Sequence, residues 1–195
     1  DSGRQKKRTL ELWERGQEKR LTKFLSPADQ KGIAFLSLPG EIMYLYLPAF
    51  KKTRRIASHV KNRKFAGTDF SYEDMEAKRY SAKWRARRVS KAEDEDHYVL
   101  DLTLREGQRS DYGRLRMRVR RDNSYPVRTE YYDRGGNLYK VMTLSRIEKI
   151  DGYWEALEKT MEDKKANHKS VMRISEVAFD TGLPDRIFTE RFLAR

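Results

Sequence analysis

The chain has 195 residues, a net charge of +13 and no cysteine, with hydrophobic and charged fractions both at 37%. The length suits a single domain over residues 1–195 with a real core, and the missing cysteine excludes disulfides, thiolate zinc sites and cysteine nucleophiles. No apolar run approaches the roughly 20 residues of a membrane-spanning helix, while the charge calls for an anionic partner without choosing among nucleic acid, phospholipid and acidic protein.

The apolar content is low for a globule, but 11 Tyr, 8 Phe and 3 Trp suit half-buried strands with one wet face. Residues Arg4 to Glu14 read as a first strand, and Glu18 to Leu25 as its return after a turn at Gly16-Gln17. Ser26-Pro27-Ala28-Asp29 is a turn, and Gly32 to Leu38 a third strand. After Pro39-Gly40, Glu41 to Leu47 is apolar on both parities, as a central strand covered on both sides would be. Lys51 to Lys64 is a basic spacer that contains His59 and no acid. Ser71, with Asp74 three residues on, has capping-box spacing and predicts a short helix over Tyr72 to Ala77.

Strand patterns resume at Tyr80 to Val89 and at His97 to Arg105, where Tyr98, Leu100, Leu102 and Leu104 share a face. In Tyr112 to Arg120, Leu115, Met117 and Val119 alternate with Arg114, Arg116, Arg118 and Arg120. Tyr125 to Tyr132 leads into the hairpin turn Asp133-Arg134-Gly135-Gly136-Asn137. Leu138 to Ile150, Tyr153 to Asp163 and Ser170 to Phe179 follow; the last two could also be read partly as helix, given Glu155-Ala156-Leu157-Glu158-Lys159, but the turn signals on both sides favour strand. Pro184-Asp185 opens a short helix with Phe188 and Phe192 one turn apart. The count is about ten or eleven strands. Joined by tight turns, they are expected to curl into one large antiparallel sheet or barrel with a few short helices.

No catalytic constellation emerges. His59, His97 and His168 are isolated from one another and read as surface residues. Gly135-Gly136 is a turn, not a phosphate loop, and no serine or threonine nucleophile signature occurs. Asp69 and Asp74 fall short of a calcium loop. They read instead as ion-pair partners of Arg54 and Arg55, a clasp that pins the loop to the fourth strand, with Gly67 supplying an unusual dihedral. The basic stretches could follow phosphates, but no nucleic-acid signature matches and the aromatics sit at core spacing. The expectation is a non-enzyme without metal or cofactor and without a nucleic-acid partner.

The stretch from Tyr44 to Ile56, Tyr-Leu-Tyr-Leu-Pro-Ala-Phe-Lys-Lys-Thr-Arg-Arg-Ile, is followed by Phe65-Ala-Gly-Thr-Asp-Phe-Ser-Tyr-Glu-Asp74. Together they resemble the YLPxxxRxRRI…FxGSDFSYED signature of outer membrane lipoprotein-sorting proteins of the LolA-like superfamily. Ser26 to Leu36, Tyr125 to Asp133 and Leu183 to Leu193 resemble further segments of that family, so the likeness covers nearly the whole chain. Thr68 stands where the family usually has Ser. Family members usually carry a signal peptide and an amphipathic helix before the first strand; this sequence opens at Asp1 almost directly on that strand, and a removed signal peptide fits such a start.

The resemblance implies an incomplete, half-open antiparallel β-barrel around an apolar cavity. It implies a monomeric periplasmic carrier of lipid or lipoprotein acyl chains, handing over to an RND-type inner-membrane transporter. Trp13, Phe35, Tyr44, Tyr46, Trp84, Tyr98 and Met117 are the candidate cavity residues, with a basic rim for an anionic membrane surface. Arg54, Arg55, Gly67, Asp69, Phe70 and Asp74 form the motif, expected as a structural clasp at the cavity mouth. Two other readings remain: a non-transporting module that docks on a transporter through the basic loop, and a nucleic-acid binder.

Overall fold

The computed structural model describes residues 5–77 and 79–194. They form twelve strands in two antiparallel sheets, neither of which closes into a barrel, with short helical pieces. The expected mostly-β, antiparallel, unclosed architecture is therefore present, divided between two sheets. The chain falls into two compact units. The first takes 5–61, 75–77 with 79, and 182–194; the second takes 62–74 and 80–181.

In the first unit, β1 (Thr9–Arg15), β2 (Lys19–Ser26), β3 (Ala34–Leu38), β4 (Ile42–Leu47) and β5 (Lys52–Arg55) pair in simple sequence order. The predicted first strand begins at Thr9, and Arg4 lies outside the described residues. The basic spacer expected over Lys51 to Lys64 contains β5, which leaves no trace in the sequence pattern because Lys-Thr-Arg-Arg has no apolar face. It forms because an edge strand needs only one neighbour, and β4 supplies it through Leu47–Lys52 to Tyr44–Arg55.

Register puts Trp13, Leu21, Leu36 and Tyr44 in one row across four strands, and Tyr46 shares that face. The C-terminal segment covers it. Phe188 and Leu193 join Leu21, Ala34 and Leu36 in one buried cluster, with Trp13, Tyr44, Tyr46 and Phe192 packed around it. Each fully buried Leu or Phe there stabilises by about 1.5–3 kcal/mol. The predicted C-terminal helix is a 3-10 turn, Asp185–Ile187, followed by the four-residue α2 (Glu190–Leu193). Asp185 ties it to β2 and β1 through Lys19 at 2.6 Å and Arg15 at 2.9 Å.

The opposite face of this sheet carries Thr22, Phe35 and Met43, all fully buried. Residues 75–77 follow it: the Ala77 amide donates to Ser37 Oγ at 3.1 Å, and Arg20 donates to the Met75 carbonyl at 3.0 Å.

The second unit is a seven-stranded sheet: β6 (Trp84–Arg88), β7 (His97–Leu104), β8 (Arg114–Arg120), β9 (Pro126–Tyr132), β10 (Leu138–Ile150), β11 (Tyr153–Asp163) and β12 (His168–Arg173), again in sequence order. The strand expected over Tyr80 to Val89 opens instead with one helical turn, α1 (Tyr80–Lys83). The strand expected over Ser170 to Phe179 ends at Arg173, one residue before its last β-type bond, from Ile174 N to Leu157 O at 2.9 Å. Beyond it, Phe179 stacks on Tyr153 with centroids 4.8 Å apart.

Alternation gives the sheet two chemically distinct faces. One is a polar ladder. Arg116 grips Asp101 bidentately at 2.7 and 2.9 Å, and Arg114 reaches the same carboxylate at 3.2 Å while lying 3.8 Å over the Tyr132 ring. The Arg116 guanidinium holds the Asp101 carboxyl below its ordinary range, against the opposing effect of burial. The other face is apolar over most of its area and carries the candidate site.

Candidate functional site

On the apolar face, one row runs Leu100, Met117, Thr129, Met142, Met161, Ser170 from β7 to β12. The neighbouring row runs Leu102, Leu115, Tyr131, Lys140, Asp163, His168. Met172 lies two residues from Ser170 and shares its face, so Met117, Met142, Met161 and Met172 make four of the six methionines in the chain. Trp84 and Tyr98 share this face too, through the Trp84–Leu104 and Tyr98–Val119 pairs. Unbranched thioether chains adapt their shape at little cost, which suits a surface that accommodates variable apolar volume. Tyr98, Leu100, Val119, Met142, Leu144 and Met172 are half-buried, whereas Trp84, Leu115 and Met161 are fully buried.

Of the seven candidate cavity residues, Trp84, Tyr98 and Met117 therefore fall together. Trp13, Tyr44 and Tyr46 share a face of the five-stranded sheet that the C-terminal segment packs, and Phe35 lies on its reverse. Tyr98 is flanked by two guanidinium groups, Arg121 at 4.1 Å and Arg88 at 4.8 Å from its ring. Sequence alternation singled out Met117 but not Met142 and Met161. Only the register shows that the three lie in one line.

The 62–74 loop occupies the β10–β12 end of the same face. Its backbone is bent by two successive left-handed residues, Ala66 (φ 48°) and Gly67 (φ 71°), so Gly67 does supply the dihedral expected of it. Phe65 N donates to Phe70 O at 2.7 Å and closes the bend, with both rings buried. Thr68 Oγ1 donates to Phe65 O at 2.7 Å, a bond that needs only a hydroxyl, so Thr serves where Ser is usual.

Three carboxylates then anchor the loop. Asp69, fully buried, receives His168 Nδ1 at 2.6 Å, Ser170 Oγ at 2.7 Å and Lys64 Nζ at 3.0 Å, and its own amide donates back to Ser170 Oγ at 3.0 Å. Burial alone would raise the Asp69 carboxyl, but bonds from Ser170, Lys64 and His168 outweigh it and hold the group below its ordinary range. Lys64 is also desolvated, yet Asp69 holds its ammonium above its usual range.

Glu73 accepts from Ser110 Oγ at 2.5 Å and from the Asp111 amide at 3.2 Å, with Lys83 Nζ also at 3.2 Å. Asp74 takes Tyr112 OH at 2.9 Å and Lys140 Nζ at 3.2 Å, the lysine and aspartate side chains each only 2% exposed. Burial first, and then the Asp74 charge, push the Tyr112 phenol well above its ordinary range.

Two expectations are corrected here. Ser71 and Asp74 do exchange the capping-box bonds, Ser71 N to Asp74 Oδ2 at 2.8 Å and Asp74 N to Ser71 Oγ at 3.2 Å, but no helix follows over Tyr72 to Ala77. The side chains of Glu73 and Asp74 are drawn to partners in the sheet and in the 110–112 loop, which holds the segment as a turn. The clasp partners also differ from those expected. Lys64, His168 and Ser170 serve Asp69, and Lys140 and Tyr112 serve Asp74; Arg54 and Arg55 lie exposed on β5 with no ion pair among the described residues. Sequence reasoning missed His168 as a partner because 99 positions separate it from Asp69.

Within the first unit a half-open pocket of about 430 Å³ is lined by residues including Glu41, Arg55, Ile56, His59 and Lys61. Lys61 pairs with Glu41 at 2.8 Å and approaches Glu76 at 4.0 Å, so charges around this pocket largely cancel.

Unclosed antiparallel sheets, an apolar face bearing a line of methionines and a polar loop locked by buried ion pairs are the features this chain brings to a comparison with known folds. The comparisons place the chain more closely. A family model described only as that of an uncharacterized protein matches residues 16–195. An outer membrane lipoprotein-sorting protein domain from Vibrio parahaemolyticus is 30% identical, with a TM-score of 0.85 over 96% of this chain and 83% of that one. A DUF1329 family protein from Desulfovibrio piger is 29% identical, with a TM-score of 0.83 over 90% and 76%. A LolA superfamily protein from Nitrosomonas europaea, at 24% identity, shares the fold with a TM-score of 0.76 over 95% and 82%. No protein of curated function matches the sequence. At the identity and coverage of the Vibrio relative, the chain belongs to the family of outer membrane lipoprotein-sorting protein domains which that relative represents.

Proposed function

We propose that the protein is a periplasmic carrier that shelters lipid or lipoprotein acyl chains against the methionine-rich face of its seven-stranded sheet. The observation that carries this reading is the line Met117, Met142, Met161 with half-buried Leu100, Leu144 and Met172 around it. An acyl chain needs apolar volume and little else, at about 0.8 kcal/mol per buried methylene. The lipoprotein-sorting relative supports the class of cargo and an envelope location. In this reading the protein acts by binding, without a chemical step, and the RND-type transporter implied by the sequence resemblance is its handover partner.

Native mass spectrometry of the purified protein, followed by solvent extraction, tests it. The expected result is co-purified lipid that is released on denaturation, and that is lost in a folded Met117→Arg/Met142→Arg variant. A wild-type protein that is lipid-free and takes up no fatty-acid probe overturns it.

A further inference from the structure

The sequence from Ile42 to Thr68 holds no acidic residue, and its cations play no part in the anchoring of the 62–74 loop until Lys64. At its centre, in the first unit, the 3-10 turn Pro48–Phe50 joins β4 to β5. Phe50 is 64% exposed, against 47% for Tyr153 and 39% for Leu12, the next most exposed large hydrophobics among the described residues. Lys51 follows in a left-handed conformation (φ 49°), and β5 then runs as the edge strand of its sheet. Lys51, Lys52, Arg54 and Arg55 are all exposed, and none has an ion pair among the described residues. The arginines of β8 differ in this respect: Arg114 and Arg116 are answered by Asp101, Arg118 by Asp94 and Arg120 by Asp122. Four exposed cations without an ion pair among the described residues thus fall close together at one turn and one edge strand.

Lysine on an edge strand also blocks unwanted pairing with another sheet. That accounts for charge on β5, but not for a phenylalanine held out in water immediately before it. An exposed aromatic ring beside four unneutralised cations has the chemistry of an interfacial anchor: the ring enters the acyl boundary while the cations meet lipid phosphates. We propose that the β4–β5 turn and β5 form a docking surface for an anionic phospholipid bilayer. This surface would also give Arg54 and Arg55 a role outside the loop anchor. The proposal stands apart from the carrier reading, since bilayer docking and cargo retention are measured separately.

The absence of cysteine makes a clean probe available. Phe50→Cys carries a single environment-sensitive dye on the full chain, and Arg85→Cys, exposed on β6, is the control. With phosphatidylglycerol/phosphatidylethanolamine vesicles the dye at position 50 is expected to shift to the blue, and the dye at position 85 to stay unchanged. Phosphatidylcholine vesicles should produce little shift at either position. Each cation near an anionic surface contributes about fivefold in affinity, so Lys51→Glu/Lys52→Glu/Arg54→Glu/Arg55→Glu should weaken co-sedimentation at least tenfold. Phe50→Ser alone, at a site without packing, should weaken it without a change in melting temperature. Co-sedimentation with an unshifted dye at position 50 overturns the proposal, as does undiminished vesicle binding by the charge variant. Preferential binding of an oligonucleotide through these residues overturns it too.

Discussion

Asp69 is the sharpest test of how the loop is held. Asp69→Ala removes an acceptor that serves His168, Ser170 and Lys64 at once. A hydrogen bond to a charged group contributes about 1.5–3 kcal/mol, but the three cannot simply be summed. The Lys64 and His168 side chains are 47% and 45% exposed and can turn to water, while Asp69 itself is fully buried. Ser170 keeps only the amide of residue 69. The net cost is about 2–3 kcal/mol. At about 2–4 °C per kcal/mol for a chain of this size, the melting temperature should fall by about 5–10 °C. Asp69→Asn, which keeps the shape and one acceptor oxygen, should cost about half as much. The pH dependence has a definite sign. The folded-state pKa of Asp69 is lowered, so its contribution is fully present above the ordinary aspartate pKa and is lost as pH falls through the lowered folded value. Wild type should therefore lose its margin over Asp69→Asn only in acid, below about pH 4. Thermal melts followed by circular dichroism at pH 7, 5, 4 and 3 measure both effects. An unchanged melting temperature for Asp69→Ala at pH 7 refutes the anchoring role, and a margin that grows toward acid refutes the linkage.

The other consequences can be checked alongside. Lys140→Met strands the buried Asp74 carboxylate and should destabilise by about 3 kcal/mol, read as a lowered urea midpoint; an unchanged midpoint would mean that Ser71 and Tyr112 suffice. Leu193→Ala opens a hole in the cluster of Leu21, Leu36 and Phe188 and should cost about 2–4 kcal/mol, again by urea titration. Arg116→Ala leaves Asp101 with Arg114 alone at a partly exposed site, so the loss should stay near 1 kcal/mol, with a shift of the Asp101 carboxyl back toward its ordinary range by NMR titration. Arg54→Ala/Arg55→Ala should leave the melting temperature within about 1 °C, because neither residue has an ion pair among the described residues.

The strands were legible where alternation was strict. Tyr98 to Leu104 and Leu115 to Val119 carry a period of two that fixes both the strand and its inward face, and the observed β7 and β8 follow it. β5 was not legible, since a four-residue edge strand of Lys, Thr and Arg has no hydrophobic period to read. The helix expected after Ser71 failed for a different reason. The capping bonds form, but local capping is worth about 1 kcal/mol, and long-range partners for Glu73 and Asp74 compete successfully for the segment. The acids of the motif were recognisable as an ion-pair centre, while their partners were not. Sequence proximity pointed to Arg54 and Arg55; the fold instead brings His168, Ser170, Tyr112 and Lys140 from 38 to 101 residues away. The candidate lining divided for the same reason. Parity says which residues of one strand share a face, but not which strand lies beside it, so Phe35 and Tyr44 were grouped although register sets them on opposite faces.

The contrast between the loop and the apolar face explains why the recognisable residues are not those proposed to meet cargo. A buried carboxylate tolerates few neighbours: Asp69, Glu73 and Asp74 each require donors at hydrogen-bond distance, and an unsatisfied one costs more than the bond is worth when made. Such a requirement fixes residue type and spacing together, and it makes the Phe65 to Asp74 stretch distinctive as sequence. A face that accepts acyl chains requires only apolar volume and some compliance, which Met, Leu, Val or Ile supply almost interchangeably. Its identity lies in the register, not in the letters. The same reasoning separates the third surface. Phe50 and the cations after it need neither partners nor packing, only exposure, and they keep it on an edge strand at the end of the five-stranded sheet. The anchor and the lining share β10 and β12, where Lys140 stands two residues from Met142 and Ser170 two from Met172, whereas the basic edge lies on β5, so a substitution on β5 should leave the other two intact.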